Sequence, residues 1–140
     1  MTRPMRLAYT QMPHIYRGGE RLARFRSAAP PTIDHAPEEW LGSTVTRFGD
    51  GELGLSRLDD GRTLVDHIRE DHGGWLGESD APGMLVKLID AGERLPVHCH
   101  PDRAFASERL GAVHGKAEAW AILEADAGST VWVGFARDIS

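Results

Sequence analysis

The longest apolar runs lie in the second half of the chain. Met84-Leu85-Val86-Lys87-Leu88-Ile89 and the run from Leu95 to His100 follow one another across Ala91-Gly92-Glu93, and both predict strands covered on two faces. Glu118 to Leu123 and Thr130 to Phe135 predict two further strands, joined by a turn around Asp126-Ala127-Gly128. Between these pairs, Asp102 is a capping residue for a brief helix from Arg103 to Leu110, which Gly111 terminates. Nearer the middle, Thr63 and Asp66 give a capping-box-like start to a short helix with Leu64, Val65 and Ile68 on one face, ended by Gly73-Gly74. The β-branched residues in Ser43 to Phe48 predict a strand, Asp50-Gly51 its turn and Leu53-Gly54-Leu55 its return. Prolines at 4, 13, 30, 31 and 37 interrupt the first forty residues. There Gly18-Gly19, between Ile15-Tyr16 and Leu22, predicts a short hairpin in a segment that wraps over a core.

Composition narrows the class. The chain has 140 residues, 41% of them hydrophobic and 26% charged, which is globular and large enough for one domain. The net charge of -5 is spread over interleaved acids and bases, and no stripe of Lys or Arg could neutralise successive phosphates, so nucleic acid is not an expected partner. No run of about eighteen apolar residues predicts a membrane span, and no secretory leader pattern opens the chain. A soluble, cytoplasmic protein is expected, and the single cysteine, Cys99, fits a reducing compartment.

The candidate chemistry centres on His98 and His100. One residue apart on a predicted strand, both imidazoles point to the same face and can share a cation. Cys99 then points the other way and is expected to be buried and inert. Glu118 heads the apolar run Ala119 to Leu123, where a carboxylate needs exposure or a partner such as a cation. Alone, a His-x-His pair is more readily read as two histidines satisfied by backbone groups. Of the other histidines, only His114, two residues before Lys116, is a candidate for the rim of a pocket.

Three stretches taken together carry more weight: Leu85 to Ala91, then Leu95-Pro96-Val97-His98-Cys99-His100-Pro101-Asp102, then Gly115-Lys116-Ala117-Glu118-Ala119-Trp120. In order and spacing they resemble the type I mannose-6-phosphate isomerases, where a lysine-bearing strand leads into Leu-Ser-Val-Gln-Val-His-Pro-Asp and a later Gly-Lys-Thr-Glu opens another strand near a Trp. Gly134-Phe135, Glu38-Glu39-Trp40-Leu41-Gly42-Ser43 and Gly61-Arg62-Thr63-Leu64 are similar to further elements of that family, so the likeness spans residues 37 to 135.

The resemblance implies a mainly β fold, a cupin-like jelly-roll barrel with one or two short helices. Residues 1–140 would form one domain, with 1–40 as the wrapping segment and 84–135 as the metal-binding strands. It implies that His98, His100 and Glu118 hold Zn2+ or another divalent metal, with His98 standing where the family has a glutamine. It implies that Lys116 lies in the active site against a sugar phosphate; the plainer reading of Lys116 is a solvated turn lysine. Glu39 and Trp40 are expected to brace the N-terminal segment.

The implied reaction interconverts mannose 6-phosphate and fructose 6-phosphate through a cis-enediol, with the metal stabilising negative charge. In the family a last metal histidine and an arginine lie further along a longer chain. The expectation is therefore a barrel incomplete at its C-terminal end and a 140-residue chain with little activity, or else a minimal barrel closed by the N-terminal segment. Two rival functions remain: a non-enzymatic sugar-binding or regulatory cupin, and a different metal cupin enzyme such as a dioxygenase, which would use iron and consume oxygen.

Overall fold

The computed structural model describes residues 4–47 and 51–137. Its described residues fall into two compact units, one ending at Pro96 and one beginning at Val97. Among the described residues the architecture is mixed: one three-stranded antiparallel sheet and four short helices.

The first unit is built on the sheet, in which β1 (Gln11–Met12), β2 (Glu38–Leu41) and β3 (Val86–Ile89) lie side by side in that order. Gln11 pairs with Glu39, and Trp40 pairs with Lys87. The pleat therefore puts Glu38 and Trp40 on one face of β2 and Glu39 on the other. Met12, Tyr16, Leu22, Ala23, Leu58 and Leu64 are buried and form the core. Each large apolar side chain so buried stabilises the unit by roughly 1.5–3 kcal/mol.

Gly18-Gly19 does not turn a hairpin. It opens α1 (Glu20–Phe25), and the reason is backbone conformation together with crowding. Gly18 and Gly19 have φ of 141° and 110°, and a Cβ on Gly19 would stand 2.2 Å from Ala36 O. Gly19 offers no side-chain cap, and the donors of the first turn are met from far along the chain. Asp90 Oδ2 accepts from the N–H groups of Gly19, Arg21 and Leu22 at 2.9, 2.8 and 3.4 Å. A carboxylate there also meets the positive end of the helix dipole.

Two further helices follow the sequence closely at their starts. α2 (Leu64–Glu70) begins at Thr63, whose Oγ1 accepts from the Asp66 N–H at 3.1 Å. It ends at Asp71 rather than at Gly73-Gly74, because the Asp71 side chain accepts from the Gly74 N–H at 3.0 Å and starts α3 (His72–Leu76), which contains both glycines. The expected arms at 43–48 and 53–55 do meet, with Arg47 N–H to Leu53 O at 2.7 Å and Ser56 N–H to Ser43 O at 3.0 Å, but they form no strand. Phe48 and Asp50, the end of the first arm and half of the expected turn, lie outside the described residues.

In the second unit, α4 (Arg103–Leu110) matches its sequence signals at both ends. Asp102 Oδ1 accepts from the Phe105 N–H at 2.8 Å, and Gly111 takes the left-handed conformation at φ 63°. The segments 95–100, 118–123 and 130–135 are not strands, contrary to expectation. A strand exists only through ladder bonds to a neighbour, and no ladder forms among the described residues from Val97 on. Val97, Val113, Leu123, Val131 and Val133 are correspondingly exposed by more than two thirds.

Candidate metal centre

His98 and His100 precede Pro101, and the capped start of α4 fixes the chain directly after them. Gly115 returns to that point. A Cβ on it would stand 2.7 Å from Pro101 O and from Asp102 C, so only glycine fits. The next N–H, that of Lys116, donates to Pro101 O at 3.0 Å. This contact lays Gly115-Lys116-Ala117-Glu118 alongside the His98–Pro101 stretch.

The result is a convergence of three side chains. One ligand atom from each of His98, His100 and Glu118 lies within 4.8 Å of the other two. The two imidazole centroids are 4.9 Å apart, and His100 Nε2 is 3.3 Å from Glu118 Oε2. Lys116 Nζ stands 3.7 Å from the other carboxylate oxygen, Oε1. The spacing of two residues thus brings the rings together without a strand ladder.

The donor set fits a divalent cation of the zinc type, for which two imidazoles and a carboxylate are ordinary ligands. His100 Nε2 supplies the structural test: it is buried and makes no hydrogen bond, despite the carboxylate nearby. A buried ring nitrogen left without a hydrogen-bond partner costs free energy, and in the tautomer with its lone pair at Nε2 coordination would recover it. Cys99 is exposed rather than buried, because without a covered strand no second face exists to receive it. His114 is exposed as well.

The sequence did not point to a second polar group, which lies in the first unit. Glu38, buried on the sheet, accepts from Tyr16 Oη at 2.5 Å, Trp40 Nε1 at 2.8 Å and Lys87 Nζ at 3.1 Å. Lys87 Nζ also sits 4.5 Å from the centre of the Trp40 ring. Burial pushes the Glu38 pKa up, but donation from Trp40, Tyr16 and Lys87 outweighs it and holds the carboxyl below the ordinary range. On the other face, burial raises the pKa of Glu39, which Arg26 Nε at 3.0 Å only partly offsets. His14, 3.8 Å from Glu38, has its pKa lowered, chiefly by burial. The available signal was the alternation Glu38-x-Trp40 opposite a lysine in an apolar strand.

As a class, then, the chain is a small mixed α/β protein with a His-His-Glu group able to hold a metal. No protein-family model matches it, and no solved structure matches it. It is 35% identical over 72 residues to the mannose-6-phosphate isomerase of Streptococcus mutans, a match that covers 50% of this chain and 22% of that protein. The similarity supports a relationship to an isomerase over half of the chain. Among the described residues no helix is long and apolar enough to cross a membrane.

Proposed function

We propose that this chain is the metal-binding part of a type I mannose-6-phosphate isomerase, built on a cupin-like framework and acting on mannose 6-phosphate and fructose 6-phosphate. One observation carries the reading: two separate segments, His98-x-His100 and Lys116-x-Glu118, meet as a group with the donor types of a zinc site. The partial identity to an isomerase supports it independently.

His98, His100 and Glu118 would hold a divalent cation such as Zn2+. When bound, it supplies electrophilic stabilisation of the negative charge that develops on adjacent sugar oxygens. The chain's own contribution is to position and to balance charge. Lys116 presents an ammonium to the phosphate or to an enediolate oxygen. Glu118 and the two imidazoles would hold the cation, and Glu118 also balances the charge of Lys116. Proton transfer between C2 and C1 also needs a positioned base and a clamp on the phosphate. The matched stretch is 22% of the relative, so we assign those groups to other parts of such an enzyme.

The test is a coupled assay for fructose 6-phosphate with metal quantified in the same samples. The 140-residue chain is expected to bind zinc with little turnover, and a longer polypeptide containing it to turn over mannose 6-phosphate. Lys116→Ala in that longer protein should lower turnover far more than metal content. A zinc-loaded longer protein without isomerase activity would overturn the reading.

A further inference from the structure

Glu118 is shared. Its Oε2 faces His100 Nε2 at 3.3 Å, while its Oε1 faces Lys116 Nζ at 3.7 Å. The two partners are not equally accessible: the Lys116 side chain is 49% exposed, against 25% for Glu118 and 23% for His100. Lys116 is therefore the more solvent-accessible of the two partners. The Lys116 backbone is pinned by its N–H bond to Pro101 O, so the ammonium has only the reach of its own stem.

Imidazoles must be neutral to ligate a metal. Without a cation, Lys116 and Glu118 then cancel. A divalent cation on His98, His100 and Glu118 leaves a net charge of about +2 within a few ångströms. A cation on the carboxylate also offsets the charge that holds Lys116 to it. A dianionic oxyanion, such as a phosphate monoester or sulfate, restores neutrality.

We propose that Lys116 is the resident counter-ion of Glu118, released by divalent metal to form an oxyanion site, so that metal and dianion each strengthen the binding of the other. The inference rests on the reading of His98, His100 and Glu118 as the metal ligands. It adds an order to the site: the ammonium competes with the metal when no anion is present and cooperates with it when one is. Reciprocity is a thermodynamic requirement, so one factor describes both directions.

The test is titration of the full chain with Co2+, followed by its visible absorption, in chloride and in sulfate buffers of equal ionic strength. In the unaltered protein sulfate is expected to tighten Co2+ binding by about three- to tenfold. Lys116→Met removes an exposed charge without opening a cavity. It should bind Co2+ about three- to tenfold more tightly than the unaltered chain in chloride and respond more weakly to sulfate. If Lys116→Met binds Co2+ as the unaltered chain does and keeps the same sulfate response, the counter-ion proposal is wrong while the metal site stands. If the unaltered chain binds no Co2+, or His100→Ala binds it equally well, the metal site falls and the proposal with it.

Discussion

Lys116 donates its backbone N–H to the carbonyl of Pro101 at 3.0 Å, and this bond joins the two halves of the candidate centre. Pro101 follows His100 directly, and Lys116 lies two residues before Glu118. The distance between the two ligand segments is thus set by one peptide contact, with Gly115 pressed against the same place.

Gly115→Ala should therefore weaken metal binding without touching a ligand. Its Cβ would meet backbone atoms of Pro101, Asp102 and Arg103 at 2.7–2.8 Å, and backbone cannot yield as a flexible side chain does. The expected loss in affinity is about tenfold, read by competition with a chromophoric zinc chelator. Unchanged affinity would show that the contact does not set the ligand spacing.

His100→Ala and Glu118→Gln should each lower zinc affinity by at least about tenfold, since even second-shell losses commonly reach that size. Glu118→Gln is the sharper variant because it keeps the shape and removes the charge. Stoichiometric zinc retained by both after dialysis would exclude these residues as ligands.

Asp90→Ala should detach the start of α1. Three N–H groups lose their acceptor, and losing a helix cap costs on the order of 1 kcal/mol. Amide exchange at Gly19 and Arg21 should accelerate more than at Trp40, in the middle of the sheet. Equal protection in both proteins would assign the capping elsewhere.

Glu38 and Glu39 should give opposite pH dependences although they are neighbours. Glu38 has a lowered pKa in the folded state, so its contribution is present above the ordinary glutamate value of about 4.3 and is lost as pH falls through the folded value. Glu39 has a raised pKa, so its contribution is complete below about 4.3 and is lost as pH rises through the folded value. In thermal melts across this range, Glu38→Gln should remove part of the loss on acidification, and Glu39→Gln part of the loss on alkalinisation. Parallel profiles for the two variants would contradict the assignment.

Cys99, exposed between the two histidines, should react with a thiol reagent in the folded chain at close to its rate in denaturant. Slow labelling that accelerates on unfolding would place it back in a core.

Local signals in the sequence determined much of this protein. Thr63 and Asp66 start α2, and Asp102 and Gly111 bound α4, because capping is decided by side chains within a turn of the helix end. His98, His100 and Glu118 do lie together, as the His-x-His spacing and the family resemblance led one to expect, but not on the strand that the spacing assumed. Whatever depended on a distant partner was not legible. Apolar runs at 95–100, 118–123 and 130–135 read as strands, yet a strand is a relation between segments, and these have no ladder among the described residues. The exposure of Cys99 follows from that. Gly18-Gly19 read as a turn because its true partner, Asp90, lies about seventy residues on. The buried charge of Glu38 was likewise settled by Lys87, which the register of β2 and β3 brings to it, and by Tyr16 from the segment after β1.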